Sequence, residues 1–162
     1  YYNPICQGIV KLTDPVVKPL KKMLPTIRGV DFATLSVALL VQFAIITSVM
    51  LLSGAPVFHP IYLGWAMLGI VSNLLDIYFF ALIIMVIASW IAPNTAHPAL
   101  SLVHQLTDPI CQPARKLLPP MGGLDLSIIL VFVAITLFDT YLVIRPLASM
   151  LNVPPGLIPG LY

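Results

Sequence analysis

The chain has 162 residues, 59% hydrophobic and only 9% charged, with a net charge of +2 and a mean hydropathy of +1.01. Soluble domains carry about a quarter charged residues, so the composition excludes a water-exposed globule and leaves a lipid bilayer as the solvent. The Lys and Arg residues cluster in two loops beside apolar runs, a distribution that suits topology and lipid headgroups and gives no nucleic-acid site.

In chain order, residues 3–25 form a basic amphipathic segment. Asn3-Pro4 supplies an N-cap followed by proline at the first helical position, and Asp14-Pro15 repeats the device, which predicts two short helices with a bend between them. Val16, Val17, Leu20 and Leu24 share one face while Lys18, Lys21 and Lys22 share the other, the pattern of a helix resting among headgroups. Pro19 weakens its hydrogen-bond ladder. Arg28 extends the basic cluster, Gly29 permits a turn, and Asp31 caps a first visible crossing over 32–52.

No Asp, Glu, Lys or Arg occurs between Asp31 and Asp76, and a crossing needs only about 20 apolar residues. A second crossing is expected over 67–91, then a second amphipathic segment over 97–119, with Asp108 as its internal cap and Arg115 and Lys116 as its cations. Gly122-Gly123 allows a turn, Asp125 caps a third crossing over 126–144, and the Pro/Gly-rich tail, 146–162, reads as irregular chain against the membrane surface. Tyr62 and Trp90 read as interfacial aromatic anchors.

Placing Pro4 over Pro98 aligns the halves at an offset of 94 residues. Leu12-Thr13-Asp14-Pro15 then meets Leu106-Thr107-Asp108-Pro109, and Pro19, Lys22, Leu24-Pro25, Gly29 and Asp31 meet Pro113, Lys116, Leu118-Pro119, Gly123 and Asp125. Identity at capping, turn and charge positions is the mark of a duplicated unit. The fold expected is an all-α membrane protein of two tandem parallel repeats, 1–55 and 56–162. Each repeat is a transmembrane helix, a proline-broken amphipathic interfacial segment and a second transmembrane helix, the first of these helices being absent from this chain because Tyr1-Tyr2-Asn3-Pro4 reads as a helix exit. The positive-inside rule puts both basic segments in the cytoplasm of a multi-pass bacterial inner-membrane protein, where Cys6 and Cys111 remain thiols.

Asp76 falls inside an apolar run with Asn73 one turn earlier on the same face. Two readings stay open for the pair: an ion or proton site, as intramembrane carboxylates tend to be, and a polar contact between helices. Asp139, near the outer end of the last crossing, has a weaker claim. Gln42 reads as packing polarity, and Gly64, Ala66 and Gly69 as small residues at a close helix crossing. His97, His104, Asp108 and Cys111 share a helical spacing, but prolines interrupt it, and metal ligation is not expected. Ser89 and Ser127 lack a hydrolase pattern, no phosphate loop is present, and neither a cofactor nor an enzymatic activity is expected.

The motifs Ser89-Trp90, His97-Pro98, Leu106-Thr107-Asp108-Pro109, residues 113–119 and residues 122–127, with the earlier copy from Asn3-Pro4 to Asp31, resemble the YggT family, also called YlmG, of bacterial inner-membrane and chloroplast membrane proteins. Two positions depart from its pattern: Asp14 and Asp108 stand where the family usually has Glu, and His97 where it usually has Asn. The resemblance implies an accessory role at the membrane, with associations to osmotic-stress tolerance, to division or nucleoid distribution and to assembly of a chloroplast cytochrome complex. The expectation is therefore a scaffold or assembly factor. Its basic residues Lys18, Lys21, Lys22, Arg28, Arg115 and Lys116 would hold anionic phospholipid and present a docking face to another membrane complex or to a second copy. The alternatives are a small ion or solute channel component built around Asp76 and, more remotely, an intramembrane enzyme.

Overall fold

The structure, a computed structural model, describes residues 3–27, 29–91, 97–117 and 126–158, apart from the side chains at 89, 90, 126 and 140. Six α-helices follow one another among these residues: α1 (Pro4–Lys21), α2 (Phe32–Leu52), α3 (Ile61–Ile91), α4 (Pro98–Leu117), α5 (Leu126–Leu137) and α6 (Ile144–Met150). A two-residue antiparallel pair, β1 (Thr26–Ile27) and β2 (Val30–Asp31), joins α1 to α2, and Gly29 between the strands takes a φ of +82°, the left-handed region that glycine enters without steric cost. The helix starts keep the spacing of the aligned halves, with α1 and α4 beginning at Pro4 and Pro98 and α2 and α5 at Phe32 and Leu126.

α2 and α3 are long and apolar enough to cross a membrane. In such segments each interior N–H and C=O bonds within its own helix, so no polar backbone faces the apolar surroundings. α3 starts at Ile61, six residues before the expected 67, and its 31 residues give an axis of about 46 Å at 1.5 Å per residue. The early start follows from Pro60, whose carbonyl accepts from Leu63 N–H at 3.2 Å, and from packing of the first turn. Tyr62 is 3% exposed and its hydroxyl donates to the Pro56 carbonyl at 2.9 Å. Tyr62 is thus a core residue stacked near Trp65, with ring centroids 5.2 Å apart, and not an interfacial anchor; the side chain of Trp90 lies outside the described residues.

Two further expectations are corrected in α1 and α4. Each is assigned as one helix running through its internal prolines, Pro15 and Pro19 in α1 and Pro109 and Pro113 in α4, and not as two short helices. All four prolines are exposed, so the carbonyls they leave without an N–H partner lie on the side open to polar surroundings, which limits the cost of the interrupted ladder. Asp14 and Asp108 consequently sit inside helices and do not cap them. Asp14 pairs with Lys18 at 2.8 Å and Asp108 with Arg115 at 3.5 Å.

The last crossing and the tail also differ from expectation. α5 ends at Leu137, Phe138–Leu142 form a π-helical turn, and Val143, at φ −129° and ψ −60°, breaks the run before α6. The helix over 126–144 is therefore interrupted and resumes to Met150, with Pro146 in the first turn of α6, where a proline needs no N–H partner. The described part of the tail is packed, not loose: Leu157 and Ile158 are buried, the first with Ile46, Met50 and Trp65, the second with Leu68, Ile144 and Ala148. The Trp65 indole N–H donates to the Leu151 carbonyl at 3.0 Å, and an indole in an apolar setting needs such an acceptor.

α2 packs on α3, α3 on α4, α5 and α6, and α1 on α2 and α4. The α2–α3 contact turns on Gly69. A Cβ there would lie 2.5 Å from the Gln42 amide nitrogen and 3.0 Å from its Cδ, so the missing side chain is the space Gln42 occupies. Gln42 is buried and its Oε1 accepts from Asn73 Nδ2 at 3.2 Å. Gly64 is less constrained, since a Cβ there would meet Leu151 at an ordinary 3.7 Å.

Gly69→Ala should displace Gln42 and cost about 1 kcal/mol, the worth of one intramolecular hydrogen bond. Thermal unfolding in mild detergent measures this, and in a Gln42→Leu background the Gly69→Ala increment should differ from its single-variant value by at least about 0.5 kcal/mol, as contacting residues do. Additive effects would show that Gly69 does not act through Gln42. Truncation after Met150 should lower the unfolding midpoint, because it removes Leu157, Ile158 and the acceptor of Trp65.

Candidate functional site

The charged and capping residues gather at the end of the bundle where α2 and α5 start and α3 stops. At the first junction Asp31 accepts from the N–H groups of Ala33 and Thr34 at 3.2 and 3.3 Å and from the Thr34 hydroxyl at 2.9 Å. It caps α2 as expected and also holds Lys21 Nζ at 2.8 Å, so one carboxylate ties the end of α1 to the start of α2. The Lys21 ammonium keeps the Asp31 carboxyl below its ordinary range; partial desolvation opposes this and the bonds from Thr34 reinforce it.

The helix starts follow one plan. Asn3 Oδ1 accepts from Ile5 N–H at 2.9 Å, and His97 Nδ1 accepts from Ala99 N–H at 3.2 Å. The imidazole thus does the work of the asparagine amide, provided that Nδ1 carries the lone pair. Asn3 does more, because its Nδ2 donates to the Pro98 carbonyl at 2.6 Å, joining the N-termini of α1 and α4 across the two halves. Thr13 and Thr107 each donate to the carbonyl four residues back at 2.9 Å, but Thr13 is exposed whereas Thr107 is buried against Met85 Sδ.

The cations take different places. Lys18 is exposed on α1 and paired with Asp14, Lys22 is exposed in the C-terminal turn, Lys21 is engaged by Asp31 and Arg115 by Asp108, and Lys116 is exposed in the last turn of α4. Arg28 and Asp125 lie outside the described residues. Cys111 is fully buried with Leu82, Met85 and Ile128. Among the described residues no three His, Cys, Asp or Glu side chains converge on one point.

The polar residues of the apolar segments divide into two groups. Asn73 bonds Gln42, across to α2. Asp76 stands at the midpoint of α3, and Asp139 in the π-helical turn that follows α5. The bond from Asn73 to Gln42 thus does not include Asp76, whose neighbour Leu75 lines the same groove as Phe138, the neighbour of Asp139.

A groove of about 420 Å³ runs between α4 and α5 and was not foreseen. Ile110, Ala114 and Leu117 line it from α4, Leu130 and Ala134 from α5 and Phe138 from the turn after it, together with Leu75 of α3. The signal was present in the aligned halves, where Ala114 and Ala134 stand opposite Leu20 and Leu40.

The CCB3/YggT family model matches residues 1–52 and 64–147. The chain belongs to the CCB3/YggT family. Among relatives, an uncharacterized protein of Pseudomonas aeruginosa is 43% identical over 159 residues, spanning 97% of this chain and 80% of its own length. The protein named YggT of Escherichia coli K12 is 31% identical over 163 residues, 100% of this chain and 82% of its own. An uncharacterized protein encoded in the proC 3' region of Vibrio alginolyticus is 34% identical over 137 residues, 83% and 74% of the two chains. No solved structure matches. The YggT pattern of capped starts thus has a structural account in this member, including its histidine at 97.

Because Asp31 is held below its ordinary value, its pairing contributes stability that is present above the unfolded carboxylate range and is lost as pH falls through the lowered value. Unfolding midpoints recorded from pH 7 downward should fall over that interval, and Asp31→Asn should remove that part of the slope. An unchanged slope in the variant would deny the junction this role.

Proposed function

We propose that this YggT-family chain is a non-enzymatic, multi-pass inner-membrane accessory protein, a scaffold or assembly factor whose two basic helices form one platform at the cytoplasmic surface. The bond from Asn3 to the Pro98 carbonyl, with α1 packed on α4, carries this reading, because it joins the two basic amphipathic helices at one end of the bundle. Lys18, Lys22 and Lys116, exposed there, suit anionic phospholipid, each cation near such a surface being worth about 1 kcal/mol. Arg28 belongs to the same proposed surface by sequence. The spacing of 94 residues between helix starts supports two tandem parallel repeats, with a transmembrane helix preceding Tyr1 as the counterpart of α3. The platform would also receive a larger membrane complex or a second copy of the chain.

Cysteines substituted at Lys22 and Lys116 should react with an impermeant maleimide from the same side of sealed vesicles; labelling from opposite sides would refute the shared platform. Extraction of the full-length protein in native lipid particles should recover a stoichiometric membrane partner or homo-oligomer. Triple substitution of Lys18, Lys22 and Lys116 by Glu should lower that recovery by at least about tenfold, since three surface cations contribute near 3 kcal/mol. A partner-free monomer would overturn the scaffold reading.

Asp76, a carboxylate at the midpoint of the apolar α3, favours a second reading, a small channel or transport component, because carboxylates within apolar helices tend to mark ion or proton paths. In reconstituted vesicles this requires a cation or proton flux above that of protein-free vesicles, abolished by Asp76→Asn.

A further inference from the structure

α1 packs on α2 as α4 packs on α5, and the two pairs correspond position by position at the offset of 94 residues. In the second pair α3 lies on both helices. Its Leu82 and Met85 share a buried cluster with Ile128 and Ile135 of α5, and Val103 and Ile110 of α4 pack against that cluster. The Thr107 hydroxyl meets Met85 Sδ at 3.2 Å. The corresponding side chains of the first pair are Thr34 and Val41 on α2 and Ile9, Thr13 and Val16 on α1. All five are exposed, Ile9 to 53% and Val16 and Val41 to 56%, where Ile128 and Ile135 are 6% and 8% exposed.

This exposure is not the result of a looser pair. Val17 is buried like its counterpart Cys111, and the Lys21–Asp31 bridge clamps α1 to α2 at 2.8 Å. Nor is it the face that both halves turn outward, since Leu35 and its counterpart Ile129 are exposed alike. Ile9, Thr13 and Val16 follow a helical spacing that puts them on one face, and that face is open in the first half alone. Helices in apolar surroundings meet by van der Waals packing of matched surfaces, so a surface duplicated with its unit fits the element that the unit brought with it. Within the unit that element is the helix ahead of the amphipathic one, as α3 is ahead of α4. The Pseudomonas relative extends beyond its match by a fifth of its length, about 40 residues, which leaves room for a crossing of about 20.

We propose that the open face of α1 and α2 is the seat of an apolar helix that precedes Tyr1 in the full-length protein and lies across this pair as α3 lies across α4 and α5. This rests on the tandem-repeat reading above and names the contacts of the preceding helix. By the same offset, the counterparts of Leu82 and Met85 stand about 13 and about 10 residues ahead of Tyr1. Those two positions should meet Val41 on one side and Thr13 on the other.

The test uses the full-length protein in native lipid particles, with an aliphatic diazirine amino acid placed singly at Val16, at Val41 and, as the outward control, at Leu35. After irradiation, Val16 and Val41 should join peptides around those two counterpart positions at least about tenfold more often than Leu35 does, since only packed side chains lie within contact distance, about 4 Å. Leu35 should carry lipid. Adducts on a second copy, seen as a doubled mass on a denaturing gel, or lipid adducts alone at all three positions, would overturn the proposal. Thr13→Cys is a smaller probe should the diazirine side chains prevent folding. In a Cys6→Ser background it should form a disulfide with a cysteine at the Met85 counterpart, and Lys11→Cys, on the opposite face of α1, should not; equal yields from positions 13 and 11 would also overturn the seat. A cysteine at the N-terminus of the full-length protein should react with an impermeant maleimide from the side opposite to Lys22→Cys. Labelling from the same side would refute the preceding crossing and the repeat reading with it, whereas opposite sides with adducts elsewhere would refute the seat alone.

Discussion

Backbone polar groups in an apolar medium must find partners within their own segment, and α2 and α3 satisfy this by being uninterrupted helices of 21 and 31 residues. Once the ladders are closed, little directional bonding is left to fix how the helices meet. The few polar side chains inside therefore carry disproportionate weight. Gln42 reaches Asn73 because Gly69 has no side chain, and Trp65 reaches the Leu151 carbonyl because the tail folds back over α3. Each contact pins a pair of elements whose remaining surfaces are interchangeable hydrocarbon.

The two halves share their helix starts but not their surroundings. α4 lies between α3 and α5, whereas α1 meets α2 and α4. Leu12 is 82% exposed where its counterpart Leu106 is 36% exposed, and Thr13 is exposed where Thr107 is buried. Similar sequences thus do different work, and the substitutions between them follow the difference. Cys111 and Val17 are buried at corresponding positions, while Ala114 and Ala134 open a groove at positions where Leu20 and Leu40 stand in the first half.

These asymmetries bear on function. A basic helix packed on two neighbours and a basic helix packed on three leave different faces exposed, although their cations occupy related positions. The carboxylates divide likewise, with Asp31 joining α1 to α2, Asp76 at the midpoint of α3 and Asp139 in the turn that breaks the last helix. π-helical turns and interrupted helices concentrate where a fold trades ladder regularity for geometry, and here the irregular turn carries Asp139.

Local chemistry was legible in the residues. The length of the apolar runs, the cap at Asp31, the proline-led starts at Asn3-Pro4 and His97-Pro98 and the turn at Gly29 depend on neighbours within four positions, and a linear reading captures such forces. The same reading misassigned Asp14 and Asp108 as caps, since Asp-Pro marks a helix start only when the chain does not enter already helical. The bond between Gln42 and Asn73, the packing of Leu157 and Ile158 and the groove at Ala114 and Ala134 join residues tens of positions apart or more. The sequence by itself determined which segments are helical and where most of them begin, because hydrogen-bond satisfaction in apolar surroundings is a local demand. Only the tertiary structure decided which apolar faces are covered and which stay open, because that depends on shape matched between distant side chains.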